Sequence, residues 1–239
     1  TNGSVTWMTV AAGDELRLSS AQANGKSIGA ASKASAVVTV SDLTDSTDLS
    51  GIANATATVN ATVTGSIDIT GNVHLGKVDT YTVSSGFTLT ALASQVNGLT
   101  VVAAGTGNIA VTALHATPAA NLSGLSSVSG AVTAAFDASG TFTGNLGTAV
   151  VTVADSAIMT AAYNVLNGKT INHDGTENNQ GLVVTIATAD AAADLSNITS
   201  DIENFTARFT ETQSFTGDLR TATAAVADGV TVMATAAVL

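Results

Sequence analysis

The chain has 239 residues, with 7 Lys and Arg against 18 Asp and Glu, which gives a formal net charge of -11. This acidic balance argues against nucleic acid or an anionic membrane as a partner, because both bind basic surfaces. There is no cysteine, which excludes disulfides and thiolate metal sites. Its longest apolar runs are far too short for a membrane span.

A repeat of about 73 residues organises the chain. DLSGI at 48–52 returns as NLSGL at 121–125 and as DLSNI at 194–198, and ITG at 69–71 returns as FTG at 142–144 and 215–217. The predicted repeats are 21–93, 94–163 and 164–236, with 1–20 as the end of a preceding repeat and the start of the first, and 237–239 as the start of the next. We therefore expect further copies to flank this sequence in its parent protein.

Within each repeat, apolar and polar residues alternate with a period of two, which predicts strands with one buried face. Val59, Ala61 and Val63 show this alternation, and the corresponding residues return one and two repeats later. The predicted inward anchors are Leu49, Leu122, Leu195, Val59, Val132, Phe205, Val63, Phe136, Phe209, Ile69, Phe142 and Phe215. ALASQVNG (91–98) and TAAYNVLNG (160–168) predict short helical turns that end at the Asn-Gly pair, where glycine supplies a positive φ.

The fold class is therefore predicted to be all-β, and two architectures remain open. One is a β-solenoid of stacked short strands, with three coils of about 24 residues in each repeat. The other is a string of tandem β-sandwich modules. The solenoid is favoured because each repeat has only one or two Phe residues. Stacked coils bury each other, whereas an independent 73-residue module would have a thin core.

Three aspartates lie three residues apart in SDLTDSTDLSGI (41–52), and they are the candidate metal ligands of the chain. Asp42, Asp45 and Asp48 could bind calcium, although this spacing does not match an EF-hand loop and no Gly-rich calcium nonapeptide is present. Only the third position stays Asp or Asn in the later repeats. The stronger interpretation is that this residue begins a turn and accepts hydrogen bonds from the following backbone.

Other side chains that could bind a metal or take part in catalysis do not form a recognisable site. His74, His115 and His173 occupy different repeat positions, so we expect no joint metal site, and no nucleophile motif occurs. We predict no catalytic residue, no cofactor other than possible calcium, and no enzymatic activity. The rare large residues Trp7 and Tyr81, like Tyr163, are expected to fill gaps in the core or to cover an end.

Units built from segments such as GFTLT (86–90), NGLTV (97–101), DLSGI (48–52) and FTGNLGTAVVTV (142–153) resemble tandem repeats of large secreted bacterial proteins, namely S-layer proteins and repeat adhesins. The resemblance implies a structural protein at the bacterial cell surface or outside the cell, which forms a homo-oligomer or polymer as a surface layer, filament or rod. The alternative is an adhesin stalk or a carbohydrate-binding module with a surface polysaccharide as partner. A β-helical polysaccharide-degrading enzyme is the third possibility.

Overall fold

A computed structural model describes residues 7–30, 36–52, 57–76, 78–127, 130–175 and 179–234. Strands predominate in it, and the helices are short. The chain divides into two compact units, the first formed by residues 1–110 with 124–132 and the second by residues 111–123 with 133–239. A strand-rich fold agrees with the predicted all-β class.

The described residues of the first unit contain nine complete strands and two short α-helices. The strands are β1 (Trp7–Val10), β2 (Glu15–Leu18), β3 (Ser27–Ala30), β4 (Ala36–Val40), β5 (Ala57–Val63), β6 (Ile67–Asp68), β7 (Thr80–Val83), β8 (Thr88–Leu92) and β9 (Thr100–Ala103). The helices are α1 (Ser20–Ala23) and α2 (Ala93–Val96). Strands β2, β4, β5, β7 and β9 form a sheet in that order, while β1 pairs with β3 and β6 pairs with β8.

The division between the units falls within β10 (Asn108–Thr112) and just after the first residue of β11 (Val132–Phe136). The remaining strands are β12 (Gly140–Phe142), β13 (Val150–Ala154), β14 (Ile158–Ala162), β15 (Thr170–Asp174), β16 (Gly181–Ile186), β17 (Thr199–Ser200), β18 (Asn204–Phe209), β19 (Gln213–Phe215), β20 (Thr223–Val226) and β21 (Val232–Ala234). Helix α3 (Tyr163–Leu166) lies in the second unit. Short 3₁₀ helices span Leu114–Ala116, Ser123–Ser127, Thr188–Asp190 and Leu195–Asn197.

Within the second unit, β11, β13, β15 and β17 are neighbours in one sheet. A second sheet has the order β12, β14, β16, β18, β20, and β19 pairs with β21. Successive strands from β11 to β16 therefore alternate between two sheets, and each pairs with the next strand but one. After each strand in one sheet, the chain forms one strand in the other sheet and then returns to the first.

Every strand pair whose register is described is parallel. Partner residues lie about one predicted coil apart in sequence, so that Leu182 is opposite Phe205 and Tyr81 is opposite Val101. Sandwich modules of the immunoglobulin type are built from antiparallel strands joined by hairpins. The tandem β-sandwich alternative therefore does not fit the described pairing.

The interior consists of the residues on one face of each strand. In β5 the side chains of Val59, Ala61 and Val63 are buried, and β11 and β18 show the same alternation, so the predicted period of two is confirmed. All twelve predicted anchor side chains lie in the interior. Phe209 and Phe215 pack edge to face, with 5.1 Å between their ring centroids. Most of the other buried apolar residues are Val, Leu, Ile and Ala.

The helical turns predicted before the Asn-Gly pairs are confirmed as α2 and α3. Gly98 and Gly168 follow them with φ values of 70° and 71°, in the left-handed region that glycine adopts readily. Helix α1 precedes a third pair, Asn24-Gly25, in the same way.

Candidate functional site

Asn or Asp recurs at nearly equal intervals, once per predicted coil, at one corner of the strand-and-turn pattern, and we call this set the Asx corner. It consists of Asn24, Asp48, Asn72 and Asn97 in the first unit and Asn121, Asn145, Asn167, Asp194 and Asp218 in the second. Sequence reasoning found the longer repeat and proposed three coils for it, but it missed this shorter period. The recurrence of Asn or Asp at three positions per repeat was the signal that could have revealed it.

Six members of the Asx corner form Asx turns, in which the side-chain Oδ1 accepts a hydrogen bond from the backbone N–H two residues later. The N···O distances are 2.9 Å at Asp48, 2.8 Å at Asn72, 3.1 Å at Asn121, 2.9 Å at Asn145, 3.0 Å at Asp194 and 2.7 Å at Asp218. The other three members, Asn24, Asn97 and Asn167, follow α1, α2 and α3. Among the described residues, each long repeat thus contributes one helical member and two Asx turns to the Asx corner.

The corner also joins neighbouring segments to one another. The Oδ1 atom of Asn24 accepts a hydrogen bond from the backbone N–H of Asp48 at 2.7 Å, and Asn72 Nδ2 donates to the carbonyl of Thr47 at 3.0 Å. Parallel bridges connect successive corner residues in the second unit, Asn121 with Asn145 and Asp194 with Asp218. The polar side chains at the corner therefore satisfy backbone groups and hold successive segments in register.

The three aspartates of the candidate calcium site have different surroundings. Asp42 Oδ1 accepts a hydrogen bond from the backbone N–H of Ser20 at 2.6 Å, while Asp48 accepts from the Ser50 hydroxyl at 2.6 Å. The Ser50 hydroxyl, followed by the Ser50 backbone N–H, lowers the pKa of Asp48. No group of three or more His, Asp or Glu side chains that could hold a metal ion occurs within the described ranges. The calcium prediction at Asp42, Asp45 and Asp48 gains no support from this geometry.

The histidines are also separate from one another. His115 packs edge to face against Phe136, with 6.2 Å between the ring centroids. His173 Nε2 lies 3.6 Å from Asp201 Oδ2, and the His173 backbone N–H donates to Asp201 Oδ1 at 2.8 Å. His74 is exposed and its backbone N–H completes the Asx turn of Asn72. These contacts do not bring the three histidines together.

Strands β20 and β21, which we call the end edge, each have a described strand partner on one side only. Strand β20 pairs with β18, and β21 pairs with β19. Their side chains include Val226, which is 50% exposed, and Met233, which is 63% exposed. The strand one repeat earlier that corresponds to β20 is β13, and it is paired on both sides, with β11 and β15.

This difference in pairing changes the exposure of equivalent side chains. Val153 in β13 is 0% exposed, whereas Val226, its counterpart one repeat later, is half exposed. Similarly, Val151 is buried while its counterpart Ala224 is exposed. The end edge therefore has an interior type of sequence, but no described strand covers it.

Strands β1 and β2 form a comparable surface in the first unit, which we call the start edge. Among the described strands, β1 pairs only with β3, and β2 is the first strand of its sheet and pairs only with β4. Trp7 is 65% exposed on β1, so it does not fill the core. Leu16 is half-buried, whereas Leu89, its counterpart one repeat later, is fully buried. A cleft of about 370 Å³ opens between residues 8 and 16.

A separate groove of about 440 Å³ lies in the first unit between residues 70 and 99. Its lining includes polar side chains of Asn72, Ser94 and Gln95, the buried Tyr81 and the 82% exposed Val73. Burial raises the pKa of the Tyr81 hydroxyl to about 12. This hydroxyl makes no hydrogen bond to any residue that the structure describes. Tyr163, by contrast, accepts a hydrogen bond at its hydroxyl from the backbone N–H of Asp194 at 3.2 Å.

Comparisons with protein-family models, with curated proteins and with solved structures found no match to this chain. Among the described residues, none of the helices has the length and apolar character needed to cross a membrane.

Proposed function

We propose that each unit is a β-solenoid and that the chain is a non-enzymatic, extracellular structural protein that assembles with copies of itself into a filament or surface layer. The solenoid is supported by parallel pairing between strands one coil apart, together with the regular step of the Asx corner. A chain that returns to the same sheet after each such step adds one coil to a stack.

The proposal of self-assembly rests on one observation about the end edge. Its strands occupy a repeat position whose side chains are buried in the preceding repeat. Stacked repeats bury their apolar side chains against the next repeat. In the end edge, Val226 and Met233 are exposed on strands without charged residues, and no described strand covers them. An uncovered strand of this kind has free backbone groups and readily pairs with another chain.

The proposed location outside the cell rests on composition and on the resemblance to secreted repeat proteins. The chain has no cysteine, and only 10% of its residues are charged. Its described carboxylates at Asp48, Asp68 and Asp194 accept hydrogen bonds from neighbouring hydroxyl and N–H groups. They stabilise turns, which is the role expected of acidic side chains in a structural repeat.

Sedimentation velocity of the purified chain over a range of concentrations tests the proposal. We expect the mean mass to rise with concentration, and we expect negative-stain images of the heavy fraction to show regular polymers. Oriented polymers should give a reflection near ~4.7–4.8 Å along their axis, because coils stack at the spacing of β-strands. A chain that stays monomeric at every concentration and salt level would contradict the proposal.

The groove supports carbohydrate binding as a second candidate function. The hydroxyl of Tyr81 lacks a described hydrogen-bond partner, and the lining of the groove also includes amide and hydroxyl side chains. Such polar groups fix the orientation of small ligands, and they suit the hydroxyl groups of neutral sugars. Titration calorimetry with neutral oligosaccharides would test this. If the hydroxyl binds the ligand, Tyr81→Phe should weaken binding about 3- to 10-fold, the effect of one hydrogen bond. Tyr163→Phe is the matched control. Equal affinities of the two variants for the oligosaccharide would argue against the groove as the binding site.

A further inference from the structure

We propose that the groove between residues 70 and 99 binds a short neutral saccharide, and that a two-residue insertion in the first repeat creates this groove. This inference deepens the carbohydrate-binding candidate and rests on it, whereas it is independent of self-assembly. It specifies the ligand class, the hydroxyl groups that bind the ligand and the segment that opens the site.

The first repeat is two residues longer than the others at one corner. ITGNVHLG (69–76) corresponds to FTGNLG (142–147) and to FTGDLR (215–220), so Val73 and His74 have no counterparts in the later repeats. Insertions within single repeats form loops on one face of a repeat protein, and this is often the binding face. Val73 is 82% exposed and lines the groove, so a ligand placed there would cover it.

Hydrogen bonds show that the insertion displaces the corner. In the second repeat, the backbone N–H of Leu122 donates to the carbonyl of the corner residue itself, Asn145, at 2.7 Å. In the first repeat, the N–H of the equivalent Leu49 donates at 2.8 Å to the carbonyl of His74, which lies two residues beyond the corner residue Asn72. The two residues before His74 therefore form a bulge.

The bulge leaves space that the second repeat does not have. A Cβ added at Gly71 would have no atom within 4 Å, whereas one at its counterpart Gly144 would lie 2.0 Å from a carbonyl oxygen. The corresponding cleft of the second repeat has a volume of about 200 Å³, against about 440 Å³ for the groove. In that cleft Lys169 donates to the carbonyl of Gly147 at 2.5 Å, and its counterpart in the groove is the apolar Leu99.

The groove is held in shape by a side chain that is already paired. Gln95 Oε1 accepts a hydrogen bond from the backbone N–H of Leu92 at 2.8 Å. Its Nε2 donates to the carbonyls of Ile69 at 2.7 Å and Asn72 at 3.1 Å. These bonds connect α2 to the bulged corner. Sites for small ligands are usually largely pre-formed, and this one is near the lower end of their usual range of about 300–1,000 Å³, which suits a short ligand.

Two hydroxyl groups of the lining have no described hydrogen-bond partner, and they indicate the ligand. Tyr81 stands where the later repeats have Val151 and Ala224, and it is 2% exposed, so its side chain lies at the bottom of the groove. Ser94 is exposed on α2. Because burial raises the pKa of Tyr81 to about 12, its hydroxyl keeps its proton at neutral pH and can both donate and accept. Sugar hydroxyl groups have the same two capacities.

The remaining lining favours a neutral ring. No charged side chain is among the described lining residues, and the net charge of -11 repels anions. The apolar side chains of Val73, Leu92 and Leu99 offer contacts to the C–H groups of a sugar. A short neutral saccharide therefore matches both the polar and the apolar parts of the groove.

Titration calorimetry with maltose, lactose and cellobiose as probes tests the inference. We expect at least one of these neutral disaccharides to bind the unmodified chain. Ser94→Ala should weaken this binding about 3- to 10-fold, the effect of one hydrogen bond. Asn164→Ala is the matched control and should bind like the unmodified chain, because Asn164 is the exposed counterpart of Ser94 in the second repeat. Deletion of Val73 and His74 gives the corner the length of FTGNLG and should weaken binding more than Ser94→Ala does.

Unchanged affinity in the Ser94→Ala variant or in the folded deletion variant would overturn the inference, and carbohydrate binding at another surface would remain. Tighter binding of glucuronate than of glucose would overturn the neutral class. If no probe binds the unmodified chain, the carbohydrate-binding candidate fails together with the inference. Circular dichroism checks the fold of each variant, and the exposed Ser94 position decides the test if the deletion variant does not fold.

Discussion

The glycines of the FTG repeat show why single residues matter in this fold. A Cβ atom added at Gly217 would lie 1.9 Å from the carbonyl oxygen of Ala193, and one at Gly144 would lie 2.0 Å from that of Ala120. Neither glycine has a positive φ, so close approach of two backbone segments is the reason for glycine here. Gly71 occupies the same repeat position, but no atom lies within 4 Å of its added Cβ.

These glycines give a residue-scale prediction with an internal control. Gly217→Ala should lower the free energy of unfolding by about 1–3 kcal/mol, because the added methyl group separates two packed backbone segments. Gly71→Ala should leave it unchanged or raise it by up to about 1 kcal/mol. Urea unfolding followed by circular dichroism measures both. Equal effects of the two substitutions would show that backbone packing does not explain the repeat glycine.

Carboxylates at turns make the stability of the folded chain depend on pH. The Ser50 hydroxyl lowers the pKa of Asp48, and the Thr70 hydroxyl does the same for Asp68. The Thr188 hydroxyl lowers the pKa of Glu211. A carboxyl group whose pKa is lower in the folded chain than in the unfolded chain stabilises the fold at pH values above its unfolded pKa, near ~4. This stabilisation is lost as the pH falls through the folded pKa.

We therefore expect urea midpoints to fall steadily as the pH is lowered from about 5 to 2. Asp48→Asn keeps an acceptor atom but cannot titrate, so its midpoint should depend less steeply on pH in this range. Ser50→Ala removes the main cause of the low pKa and should reduce the slope in the same direction. An unchanged slope in both variants would mean that Asp48 does not contribute to acid unfolding.

At the scale of elements, the alternation of residues along each strand places packed side chains on one face and solvated side chains on the other. In β18, the side chain of Phe209 is 1% exposed and contacts Phe215, whereas the neighbouring Arg208 points outward and is exposed. The three repeats vary the outward residues freely and keep the inward ones apolar. The inward faces therefore carry most of the stability of a strand.

This division predicts opposite results for two adjacent residues of β18. Phe209→Ala should lower the free energy of unfolding by about 3–5 kcal/mol, because it leaves a cavity in the interior. Arg208→Ala should change it by less than about 0.5 kcal/mol. Thermal and urea unfolding of the two variants compare them directly. A large effect of Arg208→Ala would show that the outer face also contributes packing.

At the scale of the whole molecule, a net charge of -11 opposes contact between copies. Salt shortens the range of this repulsion, from a Debye length of about 30 Å at 0.01 M to about 8 Å at 0.15 M. The proposed assembly should therefore strengthen with ionic strength. Cations are expected to act by screening, since the described residues include no cluster of three or more His, Asp or Glu side chains that could hold one ion.

Light scattering at a fixed protein concentration tests this expectation. Raising NaCl from about 10 to 150 mM should lower the concentration needed for assembly several-fold. CaCl₂ at the same ionic strength should have the same effect as NaCl. Assembly that requires calcium and is reversed by a chelator would instead restore a specific site, with Asp42, Asp45 and Asp48 as its first candidates.

Much of the fold could be predicted because it depends on local patterns. The buried faces of β5, β11 and β18 and the helical turns α2 and α3 follow from residues that are near one another in sequence. The long repeat follows from comparing segments of the sequence with one another. The role of Asp48 at the start of a turn also follows from the sequence, because its Asx turn involves only the next two residues.

Other features required the tertiary structure, because they depend on segments that are a whole coil apart in sequence. The parallel direction of the pairs, the carbonyl that excludes a side chain at Gly217 and the exposure of Trp7 cannot be read from alternation alone. The difference between Val153 and Val226 makes the same point. Both occupy the same position in the repeat, and only the neighbouring strand decides whether such a side chain is buried in the core or left on an open edge.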